Sequence, residues 1–131
     1  MEGMKFDHVG VSVPDIEASI KWYHDVLEFN VERQGTLPWV PARVVHLRRG
    51  DMRVELFQVE GSLPLPADRR FPNRDLITHG NKHVAFQVQD IPATAALLRA
   101  RGADIAFEYE DRAVFIRDNA GNLIEFVRIR P

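Results

Sequence analysis

The chain has 131 residues, 45% of them hydrophobic and 27% charged, with a net charge of -2. That is enough for one domain with a buried core, and it leaves no basic excess for binding nucleic acid or an anionic membrane. There is no cysteine, so disulfides, thiolate ligands and a cysteine nucleophile are excluded, and any metal ion must be held by His, Asp, Glu or water.

The opening Met1-Glu2-Gly3-Met4-Lys5 lacks an apolar h-region, and no later apolar run approaches a membrane span. The expectation is a soluble, cytoplasmic protein without a membrane partner. Residues 5–13 alternate, with Val9, Val11 and Val13 on one face and Phe6, His8, Gly10 and Ser12 on the other, which predicts a strand with one apolar face. A helix follows, capped by Asp15, with Ile16, Ile20, Tyr23 and Leu27 at helical spacing. Strands are predicted near 29–34, 42–48 and 52–59, the last two joined by a hairpin turn at Arg49-Gly50-Asp51.

Residues 60–81 break the pattern. The stretch from Glu60 to Pro72 is Pro-rich and irregular, too long for a plain connection, and reads as a covering loop more than a linker. The pattern then restarts. A strand is predicted over 82–88 and a helix capped by Asp90, with Ile91, Ala95 and Leu98 on one face and Gly102 at its end. Strands near 104–108, 112–117 and 122–129 complete it, with Asn119-Ala120-Gly121-Asn122 as the last turn.

This is an internal repeat. Asp7-His8-Val9-Gly10-Val11 through Ile16 matches Lys82-His83-Val84-Ala85-Phe86 through Ile91 at an offset of 75 residues, and Val54-Glu55-Leu56-Phe57 matches Ile124-Glu125-Phe126-Val127 at an offset of 70. The fold class is therefore α+β: one 1–131 domain of two βαβββ modules, module one over 4–59 and module two over 82–130, joined by 60–81.

His8 and His83 occupy equivalent points of the two first strands, and Glu55 and Glu125 equivalent points of the two last strands. Both histidines lie opposite the valines, on the concave side of their sheet. A carboxylate between apolar neighbours is costly to bury unless it is paired, and here the oddity occurs twice in register. If a pseudo-twofold axis relates the copies, the four side chains converge. Two imidazoles and two carboxylates suit one divalent ion, Zn, Ni, Co, Mn or Fe, better than Ca or Mg. Of the other histidines, His24 reads as solvated, His46 as either cavity-lining or outward, and His79 as a loop residue near His83. Arg69, Arg70 and Arg74 are either anion ligands or solvated loop charges balanced by Asp68 and Asp75.

The motifs Phe6-Asp7-His8-Val9-Gly10-Val11, Trp22-Tyr23-His24-Asp25-Val26-Leu27-Glu28-Phe29, Lys82-His83-Val84-Ala85-Phe86 and Asp118-Asn119-Ala120-Gly121-Asn122-Leu123-Ile124-Glu125-Phe126 together resemble the vicinal-oxygen-chelate superfamily. It includes glyoxalase I, methylmalonyl-CoA epimerase, extradiol dioxygenases, fosfomycin-resistance enzymes and bleomycin-resistance proteins. The resemblance implies paired modules forming a cupped mixed sheet around a metal, a small-molecule substrate and a homodimer. Ligands at all four positions are similar to the glyoxalase-like lyases and epimerase-like isomerases. These are implied to act through a metal-stabilised enediolate, with Glu125 as first candidate for the base and Glu55 as the symmetric alternative. Two other readings stay open: an Fe(II) ring-cleaving dioxygenase, which would leave Glu55 unligated, and a non-catalytic antibiotic-binding protein. No glutathione-site pattern is evident, and Thr78-His79-Gly80-Asn81 departs from the Gly-rich approach of many epimerases.

Overall fold

The computed structural model describes residues 1–130. Two compact units divide between Leu63 and Pro64. In the first unit, β1 (Val9–Ser12), α1 (Ile16–Leu27), β2 (Asn30–Thr36), β3 (Ala42–Arg49) and β4 (Met52–Val59) follow in order. The sheet order is β1-β4-β3-β2, with β1 parallel to β4 and the other pairs antiparallel. The first strand is shorter than the alternation predicts. Residues 5–8 lie outside the ladder, because the parallel pairing begins only at Val9 opposite Val54.

Local chemistry sets the helix ends. The Asp15 carboxylate accepts from Ala18 N at 3.2 Å, satisfying one free N–H of the first turn. Glu28 ends α1 in the left-handed region at φ 62°, its N–H donating to the His24 carbonyl. The helix buries Ile16, Ser19, Tyr23, Val26 and Leu27, so Ser19 and Val26 join the predicted stripe while Ile20 is only half-buried. The register places Val45, Leu47, Val54 and Leu56 together on the apolar side, all of them buried. Gln58 accepts from Ile16 N at 2.7 Å and ties the helix start to β4.

The second unit repeats the plan with β5 (Val84–Val88), α3 (Ile91–Ala100), β6 (Asp104–Tyr109), β7 (Ala113–Arg117) and β8 (Leu123–Arg128), preceded by a one-turn helix α2 (Pro72–Asp75). Its sheet order is β5-β8-β7-β6. Asp90 caps α3 through Ala93 N at 2.9 Å. Ile91, Ala95 and Leu98 are its buried residues, and Gly102 at φ 78° turns the chain out of it. Val114, Ile116, Ile124 and Phe126 form the buried face of the sheet.

The connecting segment is ordered and belongs to the second unit from Pro64 onward. Asp75 is its anchor, with 1% exposure. Its Oδ1 accepts from Arg69 Nε at 2.7 Å and from Lys82 Nζ at 3.2 Å. Arg117 donates to the Arg70 carbonyl at 2.7 Å and, with Arg74, lies over the Phe71 ring.

The Asp118–Asn122 motif is a self-closing turn. The Asp118 carboxylate accepts from the backbone N–H of Ala120 and of Asn122, each at 2.9 Å. Gly121 has φ 92°, and a Cβ there would lie 2.8 Å from Arg70 Nε. Gly121→Ala is therefore expected to cost about 2 kcal/mol, from left-handed backbone strain and the displaced arginine together. Urea denaturation followed by circular dichroism checks this, and an unchanged midpoint would refute it.

Candidate metal centre

The site residues are set by register. Gly10 pairs with Glu55 and Glu55 with His46, and His46 pairs with Arg33. Directly opposed residues share a sheet face, so Glu55, His46 and Arg33 form one row away from α1. His8 joins the row just before β1: its Nε2 lies 2.8 Å from Glu55 Oε2. His46 Nε2 reaches the other oxygen, Oε1, at 3.3 Å. The two imidazoles meet edge to face, with ring centroids 6.1 Å apart. The Glu55 side chain is 15% exposed, and a charge that deep needs such partners.

Module two has the corresponding row: Ala85, Glu125, Phe115 and Phe107. His83 Nε2 lies 2.9 Å from Glu125 Oε2. Where module one has His46, module two has Phe115, its ring edge to face with His83 at 5.1 Å. Where module one has Arg33, module two has Phe107, 6.3 Å from Phe115. β2 and β6 carry equivalent bulges, at Val31/Arg33 and Ile105/Phe107. A bulge re-aims the residue that follows it.

Each unit therefore brings one histidine and one glutamate of the predicted four into contact. The pairs are closed on themselves, nitrogen against oxygen, and among the described residues no group of three or more His, Asp or Glu is arranged to hold a metal ion. The donor set still fits a divalent ion. Ligands about 2.0–2.2 Å from one ion lie roughly 3 Å apart, close to the two Nε2–Oε2 separations. His8 also has the outer partner that metal-bound histidines usually carry: its Nδ1 lies 2.5 Å from Asp7 Oδ2.

That contact has an electrostatic consequence. The hydrogen bond to Asp7, followed by the charges of Glu55 and Asp7, raises the His8 pKa above its ordinary 6.5. The same bond holds the Asp7 carboxyl below its ordinary range. With both ring nitrogens against carboxylates, the metal-free protein favours imidazolium. Because the folded pKa is raised, this contribution to stability is complete below about pH 6.5 and is lost as pH rises through the folded value. A metal ion at Nε2 would need it deprotonated, so its affinity would run the opposite way and rise as His8 loses its proton. Asp7→Asn should move the His8 pKa back toward 6.5 in an imidazole NMR titration of metal-free protein. An unmoved pKa would refute the assignment.

The other histidines stand apart from the pairs. His24 is exposed at the end of α1, 3.1 Å from Asn30 Oδ1, and His79 is exposed in the connecting segment. Of the loop arginines, Arg69 is committed to Asp75 and Arg74 faces Asp68 at 3.9 Å.

The glyoxalase/bleomycin resistance protein/dioxygenase superfamily matches residues 5–126. The chain belongs to this superfamily. Among solved structures, glyoxalase I of Leishmania major, described as trypanothione-dependent, has 24% identity and a TM-score of 0.76 over 96% of this chain and 87% of its own. A glyoxalase family protein from Enterococcus faecalis gives 22% and 0.77 over 97% and 99%. The fosfomycin resistance protein FosX of Listeria monocytogenes, solved with Mn(II) and 1S,2S-dihydroxypropylphosphonic acid, gives 13% and 0.70 over 99% and 95%. These likenesses show the superfamily fold, two four-stranded mixed sheets with helices. No curated protein matches the sequence. Among the described residues, no helix is long and apolar enough to cross a membrane.

Proposed function

We propose that this superfamily member is a divalent-metal-dependent lyase or isomerase of a small molecule, its metal held by His8, Glu55, His83 and Glu125. The observation that carries the reading is the duplicated pair: one imidazole Nε2 against one glutamate at 2.8 Å in one module and at 2.9 Å in the other. The same pair in each module would supply the four donors of one such site, within one chain or between two copies of a homodimer. The Mn(II) in the FosX structure is in keeping with such a site.

When bound, the ion supplies Lewis acidity, stabilising negative charge that develops on substrate oxygen. The protein residues do the rest. Glu55 is gripped by two imidazoles, one at each oxygen, and serves as a fixed ligand. Glu125 has a single imidazole and an aromatic neighbour, leaving it freer to turn and carry a proton. Glu125 is therefore assigned as the general base, and Asp7 keeps His8 oriented.

The test is elemental analysis of protein purified without chelator, wild type beside alanine variants at the four positions. About one equivalent of Zn, Ni, Co or Mn per chain, lost in every variant, supports the site. Iron kept in Glu55→Ala but lost in the other three would move the assignment to a ring-cleaving dioxygenase. No metal even after reconstitution would overturn the enzyme reading and leave a binding protein.

A further inference from the structure

We infer that Arg33 is an anion-recognising residue of module one, so that the small molecule reaching the His8–Glu55 pair carries an oxyanion, a carboxylate or phosphoryl group. The inference rests on the functional reading above and adds the substrate class to it. The row runs Glu55, His46, Arg33 on strands β4, β3 and β2. Neighbouring strands lie about 4.8 Å apart, so Arg33 starts roughly 10 Å across the sheet from the carboxylate. A small ligand with one end at the His8–Glu55 pair would span that interval to meet the exposed Arg33 guanidinium with the other.

The bulge at Val31/Arg33 lets two successive residues serve this face. Glu32 binds Arg53, at 3.0 and 3.3 Å, and Arg48, at 3.5 Å, so both of those cations are spent. The side chain of Arg33, the bulge's other product, has no ion pair or hydrogen bond among the described residues. Its charge is felt at Asp7 and at Glu32, yet neither carboxylate comes within ion-pair distance of it. A guanidinium is suited to bidentate grip of a planar or tetrahedral oxyanion. Module two supplies the internal contrast: the same register position after the same bulge holds Phe107. The backbone device recurs, and the side chain it presents is a cation in one module and a ring in the other.

The experiment is an NMR titration of the full chain with inorganic phosphate and, separately, acetate. It follows the arginine Nε–Hε signals in metal-free and Zn-loaded protein. The expected result is a saturable shift at Arg33, weakened at least tenfold by Arg33→Gln and retained in part by Arg33→Lys. Metal content should stay at the wild-type level in both variants. The stronger of the two probes identifies the phosphoryl or the carboxylate source. A shift spread equally over the arginines, Arg74 included, would overturn the inference. So would unchanged binding in Arg33→Gln, or loss of metal and fold together in that variant. A wild type that takes up no metal yet shows the saturable Arg33 shift would sink the metal reading while supporting the anion site.

Discussion

Alanine at His8, Glu55, His83 or Glu125 is expected to weaken Zn(II) or Mn(II) binding by more than 100-fold, whereas His46→Phe should weaken it by only about 10–100-fold. The gradation follows from geometry. The four residues form the two Nε2–Oε2 pairs, and removing a direct donor leaves a carboxylate or imidazole without its counterpart. His46 touches only the second oxygen of Glu55, at 3.3 Å. It therefore orients a ligand, and losing an outer partner costs less than losing a ligand. Phenylalanine is the chosen replacement because Phe115 occupies the matching position in module two, so the fold already accommodates that ring there. Competition against a chromophoric chelator measures the series. A His46→Phe protein as weak as Glu55→Ala would make His46 a ligand, and one equal to wild type would reduce it to a wall of the site.

Asp75→Ala should destabilise the second unit by about 2–4 kcal/mol. Breaking a buried ion pair from one side costs about 3–5 kcal/mol. Arg69 is a third exposed, so solvent screening takes part of that back. Asp75 neutralises two cations at once, and Lys82 also donates to its carbonyl at 2.7 Å. Losing the carboxylate removes the acceptor that Arg69 and Lys82 share, leaving their bonds to the Asn81 and Asp75 carbonyls to hold the segment. Because Lys82 directly precedes His83, the variant should also bind metal more weakly than its stability alone would suggest. Urea denaturation by circular dichroism is the measurement, since both tryptophans, Trp22 and Trp39, lie in the first unit. An unchanged midpoint would refute the anchor.

Much of this was legible in the sequence. Alternation placed the first strand of each module and helical spacing both long helices, since a half-buried sheet face needs period two and a helix stripe needs period 3.6, while the repeat and its hairpin turns placed the other strands. The repeat singled out the two histidines and two glutamates as one converging set, and within each unit one of each is in contact. The neighbour of Glu55 was within reach as well: a two-residue turn at Gly50-Asp51 pairs Arg49 with Met52, and counting back opposes His46 to Glu55. The bulge at Val31/Arg33 defeats such counting, because one extra residue shifts the face of everything beyond it, so Arg33 could not be placed. Asp75 was hidden for another reason. Its burial depends on Arg69 and Lys82 arriving from either side of a short helix, and no periodicity marks that. The early strand boundary was overdrawn because alternation persists through residues 5–8, although the ladder begins at Val9.

The matching bulges bear on how such a chain changes over evolutionary time. Each sheet keeps its aliphatic side against a helix and lends its other side to the ligand row. A substitution in that row leaves the aliphatic side untouched. Duplication then provided two such rows. One row carries imidazole and guanidinium and the other phenyl rings, while the strand order and the His–Glu pair are the same in both. The packing that holds the architecture and the polar or aromatic row thus lie on opposite sides of the same strands, so a substitution in the row is expected to cost little stability.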